Sequence, residues 1–324
     1  MIILADISKS FRVAKRDAGF GRAVKALFSR EYETIKALDR VSFTIEAGEM
    51  VGYIGPNGAG KSTTIKIMCG VLTPDAGRCE INGRTPWQER TAHVREIGVV
   101  FGQRSQLWWD VPVIDSFELI RDIYGVNDLS YRSSLEELKE LLELQELLKT
   151  PARALSLGQR MRCEIAASLI HKPKVLFLDE PTIGLDAVSK IAVRQFIRRL
   201  NTEQGTTVIL TTHDMQDIEA LTERILLVGK GRILLDGTMT ELKRRFSQSK
   251  TLAIEYRGEL PDLPDGSILR ESSVGRVLLD IDPELISVSD FIASLSAQVE
   301  ILDLSVSGIS SEEMVAAMYK EYRI

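Results

Sequence analysis

Eight consecutive residues, Gly55-Pro56-Asn57-Gly58-Ala59-Gly60-Lys61-Ser62, satisfy the pattern G-x-x-x-x-G-K-[ST] in full. The glycines let successive backbone N–H groups turn inward as an anion nest, and a helix beginning near Lys61 adds its positive end at the same point. Lys61 would neutralise the β and γ oxygens of a bound triphosphate such as ATP. Ser62 would offer its hydroxyl oxygen to Mg2+, a cation that prefers oxygen ligands, and Thr63 extends the same cradle. The metal site also needs a carboxylate at the end of a neighbouring strand. Val175-Leu176-Phe177-Leu178-Asp179-Glu180 supplies two acids in series. Asp179 is the metal-side carboxylate, and Glu180 points elsewhere because strand side chains alternate direction. That leaves Glu180 to polarise an attacking water.

These residues need a scaffold, and the pattern around them describes one. Val41, Phe43 and Ile45 alternate with Ser42 and Thr44, the period of a half-buried strand. A second strand, Met50 to Ile54, runs into the glycine loop, and Ile65, Met68 and Leu72 follow at helical spacing until Thr73-Pro74-Asp75. Leu135, Leu138 and Leu142 place an apolar stripe on a charged helix predicted over Ser133 to Leu148. Val175 to Leu178, Thr207 to Thr211 and Ile225 to Val228 read as strands buried on both faces of a parallel sheet. Beyond the charged segment Glu241 to Lys250 the text changes. Strands are expected at 251–256, 276–281 and 299–306 and helices at 288–297 and 312–322, a small α+β appendage.

Composition narrows the function. At 324 residues, with 44% hydrophobic and 27% charged residues, the chain has the make-up of a folded protein of more than one domain. A net charge of -5 gives no global basic field, so nucleic acid is not an expected partner. No apolar run approaches the roughly 18 residues of a membrane span. The opening Met1-Ile2-Ile3-Leu4-Ala5-Asp6 lacks a secretory pattern, so a cytoplasmic location is expected. Cys69, Cys79 and Cys163 form no CxxC pair and read as structural thiols.

The phosphate loop alone fits a kinase, a GTPase or a motor ATPase equally well. Leu155-Ser156-Leu157-Gly158-Gln159-Arg160 decides among them, because it resembles the LSGGQ signature of ATP-binding cassette (ABC) ATPases. Gln103 in Val99-Val100-Phe101-Gly102-Gln103 resembles the Q-loop glutamine, Asp186 in Gly184-Leu185-Asp186 the D-loop, and His213 the switch histidine. Phe11 falls where the adenine-stacking aromatic of the family lies. The resemblance covers residues 1 to about 240. It implies a P-loop NTPase of ABC type: a RecA-like parallel core, an antiparallel β subdomain and a helical subdomain over about 104–172. Residues 250–324 form the accessory α+β domain.

The resemblance also implies roles. Ser156, Gly158 and Gln159 would face the γ-phosphate held by a second subunit, so one chain carries two half-sites and a homodimer is expected. Glu180, His213 and Gln103 would be catalytic, with Gln103, Ser62 and Asp179 around Mg2+. The stretch Phe101 to Trp109 and the C-terminal appendage resemble ATPases of ABC-2-type bacterial exporters, the daunorubicin-resistance-like group, which pair with separately encoded membrane permeases. The chain would then sit on the cytoplasmic face of the cell membrane. Tandem cassettes, a long coiled coil or zinc-binding cysteines would mark soluble ABC ATPases of translation or DNA repair, and none is present.

Three departures from the family pattern stand out. Leu157 replaces the first signature glycine. Gln106 is an alternative to Gln103, because the Q-loop is one residue longer than the common spacing. Arg12 to Glu33 is a basic, partly apolar insertion that places Tyr32 as an alternative base-stacking residue and reads either as a solvated loop or as a lipid-facing stretch. Trp108 and Trp109 read either as core or as interface anchors.

Overall fold

The computed structural model describes residues 1–14, 32–102, 104–212, 214–246, 250–259, 261–282, 285–308 and 311–321. Gln103, His213 and residues 15–31 of the insertion lie outside the described residues. Two compact units are present, Met1–Asp236 and Gly237–Ile324.

The first unit opens with two long strands, β1 (Ile2–Ala14) and β2 (Tyr32–Ile45), paired antiparallel from Ile2↔Ile45 to Ala14↔Tyr32. Leu38, Val41, Phe43 and Ile45 are buried while Arg40, Ser42 and Thr44 are exposed, as the alternation predicts. The strand reaches further toward its N-terminus than that alternation shows, because both ends of the insertion join the ribbon. β3 (Met50–Ile54) leads into helix α1 (Lys61–Met68), and β4 (Ala76–Ile81) adds to β1 as the third strand of the antiparallel sheet. A short helix α2 (Arg90–Val94) precedes β5 (Ile97–Phe101).

The helical region consists of α3 (Val113–Tyr124), α4 (Asp128–Leu141) and α5 (Leu157–Leu169). This corrects the helix expected over 133–148. The Asn127 side chain accepts the Ser130 N–H and starts α4 earlier, and Glu143, at φ 51, turns the chain out of the helix. Leu144, Leu147 and Leu148 are still buried, but from turns. Leucine spacing reports burial, and a compact turn can bury leucines as a helix does.

After α5 come β6 (Val175–Asp179), α6 (Ala187–Gln204), β7 (Thr207–Thr211), α7 (Met215–Leu221), β8 (Arg224–Gly229) and β9 (Arg232–Thr238). The central sheet runs β5-β6-β7-β3-β8-β9. Its first five strands pair in parallel, and β7 is buried at every position. Parallel strands covered on both faces read as continuous apolar runs, which is why the sequence exposed them. In an open sheet of this kind ligands collect at the carboxyl ends of the strands. Here those ends bring Ile54, Phe101, Asp179 and Thr211 to one edge.

The second unit begins with α8 (Met239–Phe246) and holds an antiparallel sheet of β10 (Lys250–Arg257), β11 (Ser267–Ser273), β12 (Arg276–Ile281) and β13 (Glu300–Gly308), in the order β11-β12-β10-β13. Helix α9 (Val288–Ser296) lays Phe291 and Leu295 against Leu252, Ile254, Tyr256, Val277, Leu279 and Ile281. Helix α10 (Ser311–Glu321) buries Met314 and Met318. β11 was not anticipated, because Ser267–Ser273 is exposed over nearly its whole length and carries no apolar alternation. Phe291 is fully buried in this small core, so Phe291→Ala is expected to cost about 3–5 kcal/mol of its stability. Calorimetry should show the transition of this unit moving down; an unmoved transition would contradict the packing.

Candidate functional site

Helix α1 begins without a side-chain cap. Its N-cap, Gly60, has φ 109 and accepts the Thr64 N–H, leaving the amides of Lys61, Ser62 and Thr63 at the open end of the helix. Only glycine sits there: a Cβ would lie 2.7 Å from the Ala37 carbonyl oxygen and 2.7 Å from Leu38 Cδ2. An uncapped N-terminus behind a glycine loop fits a phosphate. The Lys61 ammonium donates to the carbonyls of Gly55 at 2.6 Å and Pro56 at 3.1 Å, lying along the loop, and the residue is only 7% exposed. Burial pushes its pKa down, while the nearby Glu180 and Asp179 carboxylates oppose that. Pro56 is half-buried, Asn57 and Gly58 are exposed and Ala59 is buried, so the loop presents its middle to solvent.

Asp179 ends β6 beside this loop. Its Oδ1 accepts from the Thr211 hydroxyl, and its Oδ2 accepts from the Ser62 hydroxyl at 3.3 Å. The two oxygens expected around Mg2+ are therefore adjacent. Such a donor set suits a hard cation that keeps water and phosphate oxygens as its other ligands. Among the described residues no group of three or more His, Cys, Asp or Glu side chains could hold a metal by itself. Glu180 follows at φ 56, an uncommon conformation for a residue with a side chain. Its N–H donates to Thr211 O at 2.9 Å, and its carbonyl accepts the Ile183 N–H at 3.3 Å. The backbone thus turns sharply after Asp179.

Residue 213 lies outside the described residues, but both of its neighbours are anchored. Thr212 Oγ1 donates to Asp217 and accepts the Asp214 N–H at 2.9 Å. Lys190 pairs with Asp214, and Arg194 with the fully buried Asp217. Nothing in the sequence spacing marked this network, because Lys190 and Arg194 come from α6 whereas Thr212, Asp214 and Asp217 come from the turn into α7 and its first turn.

Ser156 caps α5 in a reciprocal box: Gln159 N–H donates to Ser156 Oγ at 3.2 Å, and Ser156 N–H donates to Gln159 Oε1 at 2.9 Å. Asp186 caps α6, accepting from the Ser189 N–H and hydroxyl, both at 2.9 Å. The two caps meet. A Cβ on Gly158 would lie 2.5 Å from Ser189 Oγ, so close approach of α5 to α6 requires glycine here. A Cβ on Gly184 would lie 2.7 Å from Leu157 Cδ2. Leu157, the departure from the signature, is therefore housed over Gly184 of its own chain. Gly184→Ala is expected to destabilise the protein by about 1–2 kcal/mol through its left-handed backbone at φ 69, with a further loss from the clash. Adding Leu157→Ala should recover the clash portion alone, as a partial return of the melting temperature; full recovery or none would contradict this packing.

Phe11 is 37% exposed on β1 opposite Ile35, with the Lys9 ammonium 5.9 Å from its ring centroid. Tyr32 pairs with Ala14, so strand alternation puts it on the other face of the ribbon from Phe11. Trp108 and Trp109 are 58% and 52% exposed, which removes the core reading. Gln106 Nε2 donates to the carbonyl of Glu164 on α5 at 2.9 Å, so its side chain is committed to that helix. The three cysteines are buried, and burial pushes the thiols of Cys79 and Cys163 up to about 12.

With this geometry in place, comparison with known proteins is decisive. A family profile described as ABC transporter matches residues 38–183. The daunorubicin resistance ATP-binding protein DrrA3 of Streptomyces coeruleorubidus is 34% identical over 88% of this chain and 88% of its own length. The chain belongs to the ABC transporter ATP-binding family. This ABC ATPase is also 33% identical to the linearmycin resistance ATP-binding protein LnrL of Bacillus subtilis, over 67% of this chain and 70% of that one. Among solved structures it resembles the ATP-binding cassette MJ0796 in a dimeric post-hydrolysis state bound to ADP and Pi. There the TM-score is 0.62 at 27% identity, covering 74% of this chain and 99% of that one. The fold is that of an ABC nucleotide-binding domain, and ATP is what such a domain binds and hydrolyses. No helix among the described residues is long and apolar enough to cross a membrane.

Proposed function

We propose that this ABC ATPase is the energy-coupling subunit of an exporter, closing as a homodimer on two ATP molecules and driving separately encoded ABC-2-type permease subunits at the cytoplasmic face of the membrane. One observation carries the reading. The chain holds an uncapped phosphate-loop helix beside an acidic pair, and also a fully capped signature turn anchored to α6 rather than to that loop. Each is half of a site for one triphosphate, and two copies complete both. The resistance proteins among its relatives favour export.

Within each composite site, the amides of Gly58 to Thr63 and the Lys61 ammonium take the phosphates, Lys61 leaving the loop carbonyls to do so. Phe11 stacks on the base. Ser62 and Asp179, with Gln103, would hold Mg2+, which would supply positive charge to the phosphates. Glu180 accepts a proton from a water that attacks the γ-phosphorus as the bond to the β–γ bridging oxygen breaks, and His213 holds the γ-phosphate. Ser156, Gly158 and Gln159 of the second copy face the same phosphate, and Asp186 lies at the seam between copies. Product release reopens the dimer. The exposed Trp108–Trp109 pair is the surface offered to the permease. The test is purification of the tagged chain from detergent-solubilised membranes. An integral membrane protein should co-purify in an ATP-hydrolysing complex. Recovery of a soluble homodimer alone, with undiminished hydrolysis, would overturn the coupling.

A further inference from the structure

A buried acid lies on the signature helix where packing alone would be served by an apolar residue. Glu164 is 5% exposed on α5, and its carboxylate accepts from the Ser105 hydroxyl and from the Gln106 N–H at 3.0 Å. Gln106 returns its side-chain amide to the Glu164 carbonyl at 2.9 Å. One turn earlier on the same face, the Arg160 guanidinium lies 5.6 Å from the ring centroid of Trp109. On its other side the segment is pinned by the Trp108 N–H, which donates to Ser116 Oγ of α3 at 3.0 Å, and by Leu107, which is 4% exposed. Burial raises the Glu164 carboxyl above the usual carboxylate range, against which the Ser105 and Gln106 donors and Arg160 act. A carboxyl held inside a protein costs stability unless its partners are fixed, so a satisfied cluster of this kind specifies one arrangement of the segments it joins.

We propose that Arg160 and Glu164 are positioning residues that make residues 105–109 and the signature helix move as one body, coupling the exposed Trp108–Trp109 surface to the seating of Ser156. Ser156 heads the helix on which both residues sit, so a displacement of the tryptophans pulls on the cap without a hinge between them. Glu164 also holds Gln106 to α5 through both the backbone N–H and the side-chain amide of that residue. The inference rests on the reading that Ser156 meets a nucleotide held by a second copy.

The experiment reads the tryptophans directly. In protein carrying Glu180→Gln, saturating ATP with Mg2+ is expected to shift tryptophan emission, and Trp108→Phe with Trp109→Phe should abolish the shift. Arg160→Ala and Glu164→Ala are each expected to shrink it about fivefold or more, a typical coupling between sites. Glu164→Gln, whose amide oxygen keeps the Gln106 N–H while its NH2 donates to the Ser105 hydroxyl, should restore most of it. If Glu164→Ala does not fold, Arg160→Ala and Glu164→Gln decide. Light scattering on the same samples separates the two readings. Failure of the Glu180→Gln protein itself to dimerise removes the composite site, and the inference with it. Dimerisation with an emission shift undiminished in Arg160→Ala and Glu164→Ala overturns the coupling alone.

Discussion

Glu180→Gln is expected to bind ATP with near-normal affinity, to lose hydrolysis by about 10²–10⁴-fold, and to accumulate as a closed dimer. The amide matches the carboxylate in size, and the turn that aims it is held by backbone groups, Glu180 N–H to Thr211 O and Ile183 N–H to Glu180 O, which the substitution leaves untouched. The left-handed φ of 56 is equally available to glutamine at similar cost. What disappears is the ability to accept a proton from water, together with one negative charge near Lys61. Phosphate release measures the chemistry, and light scattering with and without Mg-ATP measures the closed state. Turnover at the wild-type rate would remove Glu180 from the role of base.

Lys61→Ala is expected to weaken ATP binding about 100-fold. The ammonium lies in direct contact with the glycine loop, donating to the carbonyls of Gly55 and Pro56. In the proposed bound state those donors pass to phosphate oxygens, and a charge-assisted hydrogen bond is worth about 1.5–3 kcal/mol, so one or two of them amount to roughly that factor. Alanine also takes the ammonium from the Gly55 carbonyl, while the Pro56 carbonyl keeps the Ala59 N–H at 3.2 Å, so the empty loop is not improved by the change. Titration calorimetry with ATP reads the affinity, and the melting temperature without nucleotide checks that the fold persists. Unchanged affinity would mean that the cradle is not where the phosphates bind.

The phosphate loop and the acidic pair were readable because each is contiguous: the groups that would touch one phosphate lie within eight residues, and Asp179 and Glu180 are neighbours. The parallel strands were readable for a related reason, since burial on both faces leaves no polar position inside Val175 to Leu178. Local signals failed where the stabilising partner is remote. Ser267–Ser273 is a strand because β12 pairs with it, not because its own residues alternate. The helix 128–141 ends where Glu143 turns left-handed, although leucines continue beyond it.

By itself the sequence determined that a phosphate-loop pattern, an acid pair and a turn resembling the ABC signature coexist in one chain, since each is a short contiguous motif, the role of the last being what the resemblance implies. Only the tertiary structure decided how they relate. It placed Ser62 beside Asp179, housed Leu157 over Gly184, set Gly158 against Ser189, exposed Trp108 and Trp109, and tied Gln106 to Glu164. Those outcomes depend on distances between residues far apart in the chain, which packing sets and which no local spacing encodes.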